Sequence, residues 1–215
     1  VKDSMTITIT TAPIVSAGTP QIACSNNPTV TLAGSITGGS TTGIWSGGSG
    51  AFYPGNTSLG ADYTPNAGEI TAGNVTLTLT STNNGNCLAV AKNVTITYGP
   101  PPTVNAGVDQ TICANNKAYL NGSITNATGG QWSGGLGTFV PNRNTLNAVY
   151  TPTPDETLAG LLTLTLTTTG NGSCNPVSDA MNITFTPSPT IDAGLNQTVC
   201  ANNANTLLNG VVNIA

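Results

Sequence analysis

The sequence predicts an all-β protein, a head-to-tail array of tandem β-sandwich repeats, and three observations carry that prediction. The 215 residues are 38% hydrophobic and only 6% charged, and the apolar share is carried by Val, Ile and Leu interleaved with Thr. Branched side chains of this kind suit a pleated surface and lose rotamer freedom in helices. Several segments alternate strictly between apolar and polar residues, which is the period of a half-buried strand. One opening segment occurs three times, as SAGTPQIACSNN from Ser16, NAGVDQTICANN from Asn105 and DAGLNQTVCANN from Asp192.

The repeat sets the boundaries. Cys24, Cys113 and Cys200 lie at offsets of 89 and 87 residues, and Trp45 of GIWSGGSGAFYP matches Trp132 of GQWSGGLGTFVP at 87. ADYTP matches AVYTP, VTLTLTST matches LTLTLTTT, and Cys87 matches Cys174. Residues 1–12 resemble VSDAMNITFT from Val177 and are expected to be the closing strand of a preceding repeat. Residues 13–101 and 102–188 are then two sandwich repeats, and residues 189–215 open a following one. Neither end coincides with a module boundary, which predicts an ordered portion of something longer. Each repeat is long enough to enclose its own core, which favours a Greek-key sandwich over a solenoid.

Within a repeat, Val75, Leu77 and Leu79 and then Val94, Ile96 and Tyr98 are expected to face the core, as are Leu162, Leu164, Leu166, Ile183 and Phe185 in the next copy. The Asn- and Gly-rich stretches at Asn83 and Gly170 read as connections of the terminal hairpin. Proline in the joins YGPPPTV and FTPSPTI cannot continue a ladder and stiffens the linker.

Five cysteines look odd until the period is applied. Cys24 with Cys87 and Cys113 with Cys174 then form equivalent pairs, one inside each repeat, and Cys200 is left over. Disulfides place the chain in an oxidising compartment. With no His and no Cys-x-x-Cys, the cysteines do not read as a metal site, and no cofactor is expected.

The inventory for catalysis is thin, and the expectation is that the chain is not an enzyme. Glu69 and Glu156 occupy matching positions before an AG turn, where a turn or edge role outweighs acid–base work. The aromatic faces of Trp45 and Trp132 could stack on sugars, although large aromatics more often fill sandwich cores. A net charge of -4 spread over few ionisable groups offers no basic patch for nucleic acid, and no apolar run approaches the length needed to cross a bilayer.

Taken in order, NAGVDQTICANN, the LNGSI strand, WSGG.G.F, YTPT and LTLTLTTTGNGSCNPVSDAMNITF resemble the tandem repeats of very large SprB-like surface adhesins of gliding Bacteroidetes, and more distantly PKD-type immunoglobulin-like modules. The resemblance covers the whole chain. It implies immunoglobulin-like (PKD-like) sandwiches, type IX secretion, an extracellular location on the outer membrane, and a stalk or filament serving surface attachment and gliding motility. The implied partners are neighbouring repeats, the secretion and gliding machinery, and surface polysaccharides. The alternative reading is a set of carbohydrate-binding sandwich modules of a secreted, polysaccharide-interacting protein.

Overall fold

A computed structural model describes residues 2–213. The chain divides into two compact units, Val1–Pro101 with Asn171–Asn175, and Pro102–Gly170 with Pro176–Ala215.

The first unit is a two-layer sandwich. Strands β1 (Pro13–Ser16), β2 (Gln21–Cys24), β3 (Val30–Thr31), β4 (Ser35–Gly38), β5 (Thr42–Ser46), β6 (Ala51–Tyr53) and β7 (Asp62–Thr64) lead to a short helix α1 (Ala67–Ala72), then to β8 (Asn74–Thr82) and β9 (Ala91–Gly99). One layer has the order β2-β9-β8-β5, with β2 parallel to β9 and the other pairs antiparallel. The opposite layer joins β1 to β4 and β3 to β7 to β6. Leu32 and Gly34 continue the β3 ladder onto Ala61 and Leu59, so β3 and β4 act as one interrupted strand. Read that way, the layers are A-B-E-D and A′-G-F-C, the strand order of an immunoglobulin-like sandwich.

The second unit repeats the plan. Strands β10 (Thr103–Asn105), β11 (Gln110–Cys113), β12 (Ala118–Tyr119), β13 (Ser123–Thr125), β14 (Gly129–Ser133), β15 (Thr138–Val140) and β16 (Val149–Thr151) precede α2 (Pro154–Ala159), β17 (Leu161–Thr169) and β18 (Ser178–Thr186). Its large layer is β11-β18-β17-β14, again with a parallel β11–β18 pair. Strands β19 (Thr190–Asp192) and β20 (Val211–Asn213) then pair as β1 and β4 do.

Strand alternation dictates the cores. Leu77, Leu79 and Ile96 are fully buried, with Val75, Val94 and Tyr98 beside them. Leu164, Leu166 and Ile183 do the same in the second unit, with Phe185 beside them and Leu162 partly buried against them. On the opposite face of the same strands, hydroxyls bond across the ladder, as in Thr78 to Asn93 at 2.9 Å and Thr163 to Asn182 at 2.7 Å. Such cross-strand pairs make the polar face part of the ladder.

Two expectations change. Both units carry a helical turn where the sequence suggested only a turn before strand β8 or β17. Residues 2–12, expected as a closing strand, carry no strand pairing. The corresponding segment β18 is held by β11 and β17 of its own repeat, and residues 2–12 have no such partners among the described residues.

Candidate functional site

The titratable side chains that converge do so around Tyr63 and Glu69, and again around Tyr150 and Glu156. Asn66 caps α1 and Thr153 caps α2, each in a capping box in which Glu at the third helical position bonds back to the cap. The phenol of Tyr63 lies 2.8 Å from both oxygens of Glu69 and accepts from Gly50 N at 3.0 Å. Ser49 N donates to Glu69 at 2.7 Å and Asn66 N at 3.0 Å. The second copy matches: Tyr150 sits 2.7 and 2.8 Å from the Glu156 oxygens, which also accept from Leu136 N at 2.6 Å and Thr153 N at 2.7 Å. The WSGG turn explains itself here, because a Cβ at Gly48 would collide with the Tyr63 hydroxyl and its φ of +68° is a conformation glycine adopts freely.

These contacts set the protonation states. Burial works against the Glu69 charge, but the Ser49 and Asn66 amides and the Tyr63 hydroxyl outweigh it and hold the carboxyl below its ordinary value. Glu156 is lowered against the same burial by Thr153, Leu136 and Tyr150. Burial, reinforced by the adjacent carboxylate, pushes Tyr63 and Tyr150 up to about 12. A carboxylate already saturated with donors and a phenol that resists ionisation are poor acid–base groups near neutrality. Both pairs tie the α1 or α2 turn to the strand before it.

The proposed sugar-stacking role of Trp45 and Trp132 is overturned. Their exposures are 0% and 1%, and their indole N–H groups donate to Leu59 O at 3.2 Å and Leu146 O at 3.1 Å. The matching aromatics Phe52 and Phe139 lie against Tyr63 and Tyr150, with ring centroids 4.9 and 4.7 Å apart. Among the described residues, no group of three or more His, Cys, Asp or Glu is placed to share a metal ion.

The cysteines pair differently from the expectation. Cys24 is bonded to Cys174, 150 residues away, with Cα atoms 4.9 Å apart, while Cys87, Cys113 and Cys200 are free. The parallel β2–β9 pairing gives the reason. It sets Cys24 opposite Gly99, at the end of β9, whereas Cys87 lies in the connection that leads into Ala91 at its start. Eight residues of strand separate those ends by about 26 Å, far beyond the roughly 7 Å a disulfide tolerates between Cα atoms. Cys113 is likewise opposite Thr186, at the far end of β18 from the connection that carries Cys174. A pair inside one repeat is therefore impossible in either copy.

The bond is set in a hydrogen-bonded clasp within the first unit, to which Asn171–Asn175 belong. Asn175 N donates to Asn26 Oδ1 at 3.0 Å, Asn175 Nδ2 to Asn26 O at 2.8 Å, and Asn26 Nδ2 to Asn175 O at 3.1 Å. Asn27 Nδ2 reaches Ser173 O at 2.9 Å. The opening motif Cys-x-Asn-Asn thus supplies a thiol and two amides to one hairpin tip. The triple occurrence of that motif was the available signal, and it marked the cysteine without revealing that the two asparagines serve the same junction.

No family model matches the chain, and no curated protein matches it in sequence. Among solved structures it is similar to titin domains I67–I69, at 10% identity over 85% of this chain and 68% of that one with a TM-score of 0.45. It is similar to Drosophila OTK extracellular domains 3–5, at 12% identity over 80% and 62% with a TM-score of 0.43. Sidekick-1 immunoglobulin domains 1–5 match at 10% identity over 86% and 41% with a TM-score of 0.42. The immunoglobulin-like architecture stands on the strand order itself.

Proposed function

We propose that this chain is a structural segment of the stalk of a large, repetitive cell-surface adhesin, exported to an oxidising environment and involved in surface attachment. The observation that carries the reading is the Cys24–Cys174 clasp, which covalently ties residues of two successive copies of one sandwich. Disulfides of this kind persist outside the reducing cytosol. The Glu–Tyr pairs and the tryptophans serve the architecture of each copy, so the repeated chemistry is that of cohesion rather than turnover. The motif resemblance to SprB-like repeats supports type IX secretion and gliding motility as the setting, with neighbouring repeats and the secretion and gliding machinery as partners.

The carbohydrate-binding alternative loses its platform with the burial of both indoles. The test is antibody labelling of intact cells of the source organism, together with deletion of the gene. Labelling without permeabilisation, and loss of attachment to glass without loss of growth, are expected. Signal confined to permeabilised cells would overturn the proposal.

A further inference from the structure

We propose that the opening cysteine of each repeat bonds the hairpin cysteine of the repeat that follows, so that Cys113 takes the hairpin of a further copy of this repeat and Cys87 takes the opening cysteine of a preceding copy.

Three observations point to this register. Both sulfurs of the existing bond lie 3.9 Å from Pro100 O. Cys87 Sγ occupies the matching place one period earlier, 3.6 Å from Thr11 O and 3.4 Å from Thr10 Oγ1. Thr11 stands where Pro100 stands in the next copy, and residues 1–11 hold no cysteine to complete the pair. In the second unit, Ala114, the residue after Cys113, lines an open pocket of about 590 Å³ with Pro154, Leu158, Phe185 and Pro187. Pro187 and Ala114 are the counterparts of Pro100 and Ser25, which flank the bonded Cys24. The occupant assigned to it is an Asn-Gly-x-Cys hairpin tip of the kind that residues 171–174 contribute to the first unit. Asn115 and Asn116 supply the two amides that Asn26 and Asn27 use there.

The bond forms by exchange. The Cys113 thiolate displaces one thiolate from an oxidised disulfide donor, and the hairpin thiolate then attacks the mixed disulfide and releases the second. Two thiols lose two protons and two electrons, and the donor is reduced to two thiols. The inference needs only the repeat organisation, so it stands or falls separately from the adhesive role.

The test compares the full chain with the same chain lengthened by a second copy of residues 102–188 inserted after Ser188. The inserted copy is marked by Val108→Leu at an exposed position. Both are reduced, refolded with glutathione disulfide as donor, alkylated and mapped without reduction. In the full chain Cys24 links to Cys174 and Cys113 is alkylated. In the lengthened chain the unmarked Cys113 becomes protected and links to the inserted hairpin. An alkylated Cys113 there, in molecules that have formed Cys24–Cys174, would overturn the proposal. A second arm uses Cys24→Ser in the full chain, where Cys174 is expected to remain alkylatable. A Cys113–Cys174 link within one copy would equally sink it.

Discussion

Glu69 and Glu156 each accept from a phenol, from the capping amide of their own helix and from a backbone amide of an earlier turn, so their charge is tied to the folded state. Replacing Glu156, the more buried of the two, with Gln removes the charge-assisted character of these bonds, and a loss of about 2 kcal/mol is expected in urea denaturation. The pH profile follows from the same groups. A carboxyl whose folded pKa lies below its ordinary 4.5 contributes stability that is present above that value and lost as pH falls through the folded value. A phenol raised from 10 to about 12 contributes stability that is intact below pH 10 and lost as pH climbs towards 12. Thermal melts should therefore be flat between about pH 5 and 9 and fall at both ends. Tyr63→Phe with Tyr150→Phe should shrink the alkaline fall, leaving the part that belongs to buried Tyr98. A steep alkaline fall unchanged in that double variant would remove these phenols from the account. The equal placement of Glu69 and Glu156 before an AG turn was legible in the sequence. The helix itself was not, because six residues are too few to show a helical period.

At the scale of elements, long alternating strands were the readable part, and the broken pairing of the interrupted strand formed by β3 and β4 was not. Strands β8, β9, β17 and β18 bury the side chains that alternation assigns to the core, because nine residues repeat the period often enough to fix the face. Strands β3 and β4 are short and broken around Gly34, so their pairing depends on packing rather than on pattern. A Cβ at Gly34 would lie 2.8 Å from Leu59 O and from Trp45 Cζ2, and 2.9 Å from Leu79 Cδ2. Gly122 meets Leu166 and Trp132 in the same way. Glycine here lets the buried indole lie directly against the B strand. Gly34→Ala should cost about 1–3 kcal/mol by overpacking. Gly55→Ala, where nothing lies within 4 Å, should be close to neutral in the same denaturation assay. Equal costs at the two positions would show that the Trp45 contact is not what constrains residue 34.

For the whole molecule, the cysteine period was legible but the pairing was not, because spacing within a repeat does not reveal which end of the sandwich each cysteine occupies. Parallel pairing of β2 with β9 decides that, and it turns a local staple into a bond closing a loop of 150 residues. In the chain-entropy description such a loop contributes about 5 kcal/mol, against about 4 kcal/mol for a bond inside one repeat. The mechanical consequence is larger. Tension applied at the two termini enters at Cys24 and leaves at Cys174, so the intervening residues are bypassed and cannot be drawn out even when their strands separate. At a maximum of about 3.6 Å per residue, the bond withholds about 50 nm of contour length. Single-molecule pulling of the full chain should therefore lengthen by about that amount when the reductant is added. Bonds inside each repeat would bypass only 63 and 61 residues between their cysteines, and in that case an unfolded chain would release two smaller increments, one per repeat, on reduction. A single increment of about 50 nm, abolished in Cys24→Ser, identifies the bond between copies as the element that limits extension.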